Sequence, residues 1–352
     1  MRAPLVSALC GITLLAVAPS ASASPGDDAH LEIVRHTGVA TSEAAVPCPT
    51  GERALGGGVF TESGNSPVAI GADGPLDETG LTANTDDGDV ARFWFTEAVT
   101  GRASDTFTHY AVCSASSDAT LKTKALTIPS LLICPSGCSL DTPGRSGELA
   151  NCPDGTRAIS GGFGSPENAM GYRRAIFNQP LAAGANLAGT TTGAVAQGWY
   201  FFGENDNPDA DAHMKVFAVC SPTAQATVQT TSFDTGSPAQ SSAVCPATAR
   251  STGGGFGATT NSAFGDWVSS APATSGGSPA TSESDAPRGW FGRVDATGFA
   301  ATYRVYALCE PGPPLPAAAG APAAALRKCK KKHAKRRAAA ARKKCHHKKR
   351  KR

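Results

Sequence analysis

Along the chain, apolar residues fall in short runs rich in Val, Ile, Phe, Tyr and Trp, bounded by Gly, Pro, Asn and Asp. Branched and aromatic side chains suit a pleated, half-buried surface, and the bounding residues are those that tight turns demand. Long amphipathic stretches with helical spacing are missing. The pattern predicts an all-β body of strands and turns. Phe93-Trp94-Phe95, Trp199-Tyr200-Phe201-Phe202 and Trp290-Phe291 are the densest apolar points, expected on a central strand of each of three units. In Tyr110-Ala111-Val112-Cys113, Tyr110 and Val112 share one face of a strand and Ala111 and Cys113 the other. His109, just before Tyr110, is expected to alternate outward.

One apolar run differs. Leu5 to Val17 follows the positive Arg2 and precedes Ala21-Ser22-Ala23, a small-residue cleavage pattern. The run is too short to anchor in a bilayer, so residues 1–23 are predicted to be a secretory signal peptide. No other segment is apolar enough to suggest a transmembrane span. An exported chain with ten cysteines outside this run points to disulfides in preference to metal ligation or thiol chemistry.

Three segments share their landmarks. Cys48-Pro49-Thr50-Gly51-Glu52-Arg53 leads to Gly57-Gly58 and closes at Tyr110-Ala111-Val112-Cys113. Cys152-Pro153-Asp154-Gly155-Thr156-Arg157 leads to Gly161-Gly162-Phe163 and closes at Phe217-Ala218-Val219-Cys220. Cys245-Pro246-Ala247-Thr248-Ala249-Arg250 leads to Gly254-Gly255-Phe256 and closes at Tyr306-Ala307-Leu308-Cys309. Arginine follows each opening cysteine by five residues, and Gly-Gly by nine and ten. So many coincidences mark an internal repeat, with copies at 30–113, 119–220 and 226–309. The short connectors favour copies packed together, around a pseudo-threefold axis; three tandem small β-sandwiches are the alternative.

The cysteine separations of 65, 68 and 64 predict Cys48–Cys113, Cys152–Cys220 and Cys245–Cys309. Closing a loop of this length stabilises a unit by roughly 4 kcal/mol in the chain-entropy model. Cys134 and Cys138 would close a small loop inside copy two. Cys329 and Cys345 remain for a fifth pair or a cross-link between chains. The Gly-Gly pair marks a bulge or the close approach of another backbone, since no helix follows to complete a phosphate nest. Arg53, Arg157 and Arg250 are read as guanidinium groups laid on carbonyls or a nearby acid, with a threefold anion site as the alternative.

The formal charge of +3 conceals a split. Residues 327–352 hold 16 Lys or Arg and no acid, whereas the other 16 basic residues face all 29 acids, leaving the preceding chain at −13. A Pro/Ala-rich linker, 310–326, separates the two. Self-repulsion should keep the tail disordered when free. Its Lys330, Lys331, Lys332, Arg336, Arg337, Lys343, Lys344, Lys348 and Lys349 would contact polyanions through counterion release. For an exported chain the expected partner is an anionic cell-wall polymer or other anionic surface.

The opening Cys-Pro-x-Gly-x-Arg, the Gly-Gly-Phe and the closing aromatic-Ala-Val-Cys resemble a repeat of bacterial exported proteins of unknown function. Thr248 departs from it where the other copies have Gly51 and Gly155. The same landmarks are similar to those of the vitelline membrane outer layer protein family, whose units are shorter. That resemblance implies a β-prism of three sheets and surface or carbohydrate contact, and carries over no catalytic residue.

Catalytic motifs are not evident. There is no Gly-x-Ser-x-Gly and no His-Glu-x-x-His, and His30, His36, His109 and His213 occupy no place common to all copies. The acidic loops Asn84–Asp89 and Asn205–Asp211 concentrate oxygens but match no calcium register. No cofactor or metal is expected. The chain reads as a non-enzymatic, secreted, extracellular or cell-wall-associated protein whose repeats give structural or ligand-contact surface. A secreted hydrolase with its site between repeats is the alternative.

Overall fold

A computed structural model describes residues 24–312 apart from 63–68, 101–102, 131–143, 167–172, 187–189, 208, 236–237, 260–264 and 297–300. The signal segment, Cys134 and Cys138, and the basic tail with Cys329 and Cys345 lie outside the described residues. Among the described residues eighteen strands follow one another, six per copy. Copy one supplies β1 (His30–Val39), β2 (Thr41–Pro47), β3 (Arg53–Thr61), β4 (Ala69–Leu76), β5 (Phe93–Val99) and β6 (Asp105–Ser114). Copy two supplies β7 (Thr120–Ile128), β8 (Arg145–Asn151), β9 (Arg157–Gly164), β10 (Arg173–Ala182), β11 (Ala196–Asn205) and β12 (Ala212–Ser221). Copy three supplies β13 (Thr227–Thr235), β14 (Ala239–Val244), β15 (Ala249–Ala258), β16 (Asp266–Ala273), β17 (Gly289–Asp295) and β18 (Ala301–Pro311).

The copies exchange strands. Each gives its first, sixth and third strands to one six-stranded sheet and its second, fifth and fourth to the next. The sheets therefore read β1-β6-β3-β16-β17-β14, β2-β5-β4-β9-β12-β7 and β13-β18-β15-β10-β11-β8. Because no sheet belongs to one copy, tandem sandwiches are excluded and the body is a three-sheet prism. Each tryptophan strand, β5, β11 or β17, lies between two strands of its own copy.

The Gly-Gly pairs explain the junctions between copies. Val59, Phe163 and Phe256, each eleven residues after its opening cysteine, pair with Ser270, Asp73 and Asn178 of a neighbouring copy. A β-carbon on the second glycine, Gly58, Gly162 or Gly255, would fall 2.0, 1.9 or 2.0 Å from that partner's carbonyl oxygen. A β-carbon on the first, Gly57, Gly161 or Gly254, would fall 2.2–2.3 Å from a ring carbon of Trp94, Trp199 or Trp290. One glycine thus seats the copy's own tryptophan and the next admits the neighbour's backbone. The residues just before them, Gly56, Ser160 and Gly253, converge: a β-carbon on Gly253 would lie 2.2 Å from Ser160 Oγ, and one on Gly56 would lie 3.0 Å from it. The centre holds one small side chain among three copies.

Covalent and polar closures complete the ring. Cys48–Cys113, Cys152–Cys220 and Cys245–Cys309 are disulfides with Cα separations of 5.6, 5.6 and 5.5 Å. Arg53 donates to the Ala119 carbonyl at 2.6 Å, Arg157 to Ala226 at 3.4 Å and Arg250 to Ala29 at 2.6 Å. Each arginine reaches the opening segment of the next copy, and the third returns to the first. The chain's described ends meet there, with Ser24 Oγ 2.5 Å from Glu310 Oε1.

Candidate functional site

Each of the three arginines donates to a carbonyl at its own junction between copies, as described. The acidic loop 84–89 is likewise engaged. The Lys215 ammonium, from copy two, donates to Ala83 O at 2.9 Å, Thr85 O at 3.0 Å and Asp86 Oδ1 at 2.8 Å. Lys122 pairs with Asp87 at 3.2 Å. The loop's oxygens already surround a cation supplied by the protein, and they clamp copy one to copy two. In the loop 205–211, Asn205 donates to Ala210 O, Asp211 accepts from Ser130 N–H and Asp206 pairs with Arg174. Among the described residues no group of three or more His, Cys, Asp or Glu is placed to hold a metal ion.

A different constellation lies inside copy one, between its two sheets. His109 on β6 does not alternate outward as expected; it is wholly buried. The other face of β6 is also covered, since Tyr110 donates to Ala280 O in the β16–β17 loop. That leaves His109 the inner corner between the sheets. Its Nε2 lies 2.7 Å from Ser42 Oγ on β2, and its Nδ1 lies 2.6 Å from Thr96 Oγ1 on β5. Ser42 Oγ also lies 2.7 Å from Nδ1 of half-buried His36 on β1. Four side chains from four strands thus make one chain: His36, Ser42, His109, Thr96.

The other copies show what this corner needs for packing alone. Shared register with the closing strand makes Leu126 and Phe233 equivalent to His36, and Val216 and Val305 equivalent to His109. Pairing with the tryptophan strand makes Ser146 and Ala239 equivalent to Ser42. Phe201 and Gly292 stand where copy one has Thr96, two residues past the tryptophan. In copy two Phe201 stacks on Phe163 at 4.1 Å, and in copy three Trp267 lies beside Gly292 and stacks on Phe256 at 4.5 Å. The same corner is closed twice mainly by hydrocarbon, with Ser146 the polar side chain that copy two keeps there, and once by a hydrogen-bonded chain.

Copy one is exceptional at a second place. The indole N–H of the three equivalent tryptophans donates to one residue of the copy's own fourth strand: Trp94 to Asp73 at 2.7 Å, Trp199 to Asn178 at 2.5 Å and Trp290 to Ser270 at 2.9 Å; the fourth, Trp267, donates to Ile176 O of copy two at 3.2 Å. Asp73 Oδ2 also accepts from Asn178 Nδ2 at 3.2 Å, across the junction between copies. Only in copy one is this residue ionisable. Burial raises the Asp73 carboxyl to about 8, against the lowering effect of bonds from Trp94 and Asn178. Burial, with the charge of His36 adding to it, pushes His109 down to about 3.

Ser42, His109 and Thr96 follow the order of a nucleophile, its base and the group that orients the base. The chemistry departs in three respects. The third group is a hydroxyl and not a carboxylate, the depressed imidazole is a poor proton acceptor, and Ser42 is only 3% exposed. The arrangement holds and directs hydrogens; it does not present a serine to a substrate. Compared with protein-family models and with curated proteins, the chain has no match.

The constellation escaped the sequence reading because its members come from four strands in two sheets and no motif joins them. One signal was present: aligned copy by copy, the closing strands place His109 against two valines.

Proposed function

We propose that this is an exported, non-enzymatic scaffold whose prism is held at anionic envelope polymers by its basic tail. The charge split carries the reading: a body at −13 is joined to 26 residues with 16 cations and no acid. Three disulfides fit an oxidising, extracellular compartment. No helix among the described residues is long and apolar enough to cross a membrane, which leaves strand-type spanning unaddressed. The acidic body should be repelled by the surface that attracts the tail, so the Pro/Ala linker sets the distance between them. The resemblance to the vitelline membrane outer layer protein family supports carbohydrate or surface contact by the repeats. A hydrolase site between copies finds less support, since the junctions are occupied by glycine backbone and buried indoles.

The test is adsorption to a polyanion column or cell-wall material. Full-length mature protein should bind, and its affinity should fall on the order of 10³-fold between 50 and 200 mM salt. Truncation after Gly312, which keeps the Gly312 bond to Thr248 O, should abolish binding. Equal binding by the truncated body, or salt-independent binding, would move the function to the prism.

A further inference from the structure

Hydrogen counting restricts the chain in the copy-one corner. A neutral imidazole has one N–H and one lone pair, and a serine hydroxyl has one hydrogen. Two arrangements satisfy every contact. In the inward sense, His36 Nδ1–H donates to Ser42, Ser42 donates to His109 Nε2, and His109 Nδ1–H donates to Thr96. In the outward sense, Thr96 donates to His109 Nδ1, His109 Nε2–H donates to Ser42, and Ser42 donates to His36 Nδ1. Any mixture sets hydrogen against hydrogen or strands the buried hydroxyl hydrogen, which is unfavourable at a buried position. A protonated His36 carries hydrogen on both nitrogens, so only the inward sense remains.

We propose that the corner is a proton-directed relay, in which the protonation state of half-buried His36 sets the tautomer of buried His109 through Ser42. The distances of 2.7, 2.7 and 2.6 Å make the path continuous. The mainly apolar corners of copies two and three show that packing does not require it. Few charges surround it. By strand alternation β6 adds Asp105 to the same face, two residues beyond Phe107, and the inner faces of β2 and β5 add no titratable group. Glu43 and Glu97 pair on the opposite face of their sheet, and Arg35 donates away to Thr281 O. Proton exchange with solvent therefore enters at His36.

Imidazole ¹⁵N NMR of the full-length mature protein across its pH range tests this. As His36 takes a proton, the two ring nitrogens of His109 should move, with the same midpoint, from the shifts of a tautomer mixture to those of the Nδ1–H form while that ring stays neutral. Ser42→Ala, the residue copy three carries at Ala239, should remove the coupling and leave the His36 titration visible. His36→Phe, after Phe233, should hold His109 in one tautomer mixture at every pH where His36 titrated. A His109 tautomer that ignores the His36 titration overturns the relay, as does a pH-driven tautomer shift surviving in either variant.

Discussion

Copy one and copies two and three share one backbone plan and differ in what they bury. At the inner corner, copies two and three place Val216 and Val305 where copy one places His109. At the junction they hold the indole with Asn178 and Ser270, where copy one uses Asp73. Hydrocarbon, a neutral amide and a hydroxyl suffice for the fold, so copy one's titratable groups are additions to it. They also act in opposite directions. An unfolded chain ionises Asp73 near 3.8, whereas the folded one keeps its proton to about 8. Stability therefore declines as pH rises across that window. An unfolded chain protonates His109 near 6.5, whereas the folded one refuses the proton until about 3. Stability therefore declines as pH falls across that window. Between 3.8 and 6.5 the two slopes oppose, so these groups together place the stability plateau in mild acid.

The sharpest way to break the comparison is to move one residue without its partners. Val216→His puts an imidazole opposite Phe163, beside the Phe163–Phe201 stack, with Ser146 at the Ser42 place but Leu126 and Phe201 where copy one has His36 and Thr96. It should lose roughly 3 kcal/mol or more in urea unfolding at pH 7. A loss below ~1 kcal/mol would show that the corner tolerates the ring without a chain. Next, Asp73→Ser adopts the copy-three solution. Measured at pH 5 and pH 7, its stability relative to the parent should shift by roughly 3 kcal/mol in its own favour. That shift sits on a pH-independent loss from leaving Asn178 Nδ2 unpaired; an unchanged difference would mean Asp73 is ionised in the fold. The smallest effect comes from converting the whole corner. His36→Leu, Ser42→Ala, Thr96→Val and His109→Val together should change stability at pH 7 by about 1 kcal/mol. The acid-side decline should vanish from its thermal melts, and its persistence would assign that slope to other groups.

Part of the architecture was legible because it is written in repeated spacings. Cysteines 65, 68 and 64 apart announce units closed the same way, and glycines at fixed offsets announce close approach. The exchange of strands between copies was not legible. Alternation tells which residues share a face, but it is silent on which copy supplies the neighbouring strand. The Gly-Gly signal was clear while its partner stayed hidden, since Gly58 answers to Ser270 more than two hundred residues away. The relay was hidden for a related reason. Singly, His36 and Ser42 look like ordinary strand residues, and only the fold brings them to one oxygen.

Strand exchange also sets the order of events when the chain folds. The sheet that begins with β1 is finished only by β14, β16 and β17, so residues near the start wait for residues near 295. Non-local pairing of this kind is slow and leaves unpaired edges in the interim. A chain emerging N-terminus first cannot complete copy one by itself, because β3 lacks its neighbour β16. Assembly is therefore a late, collective event, and a copy lost from the end of the chain leaves two of the three sheets with open edges.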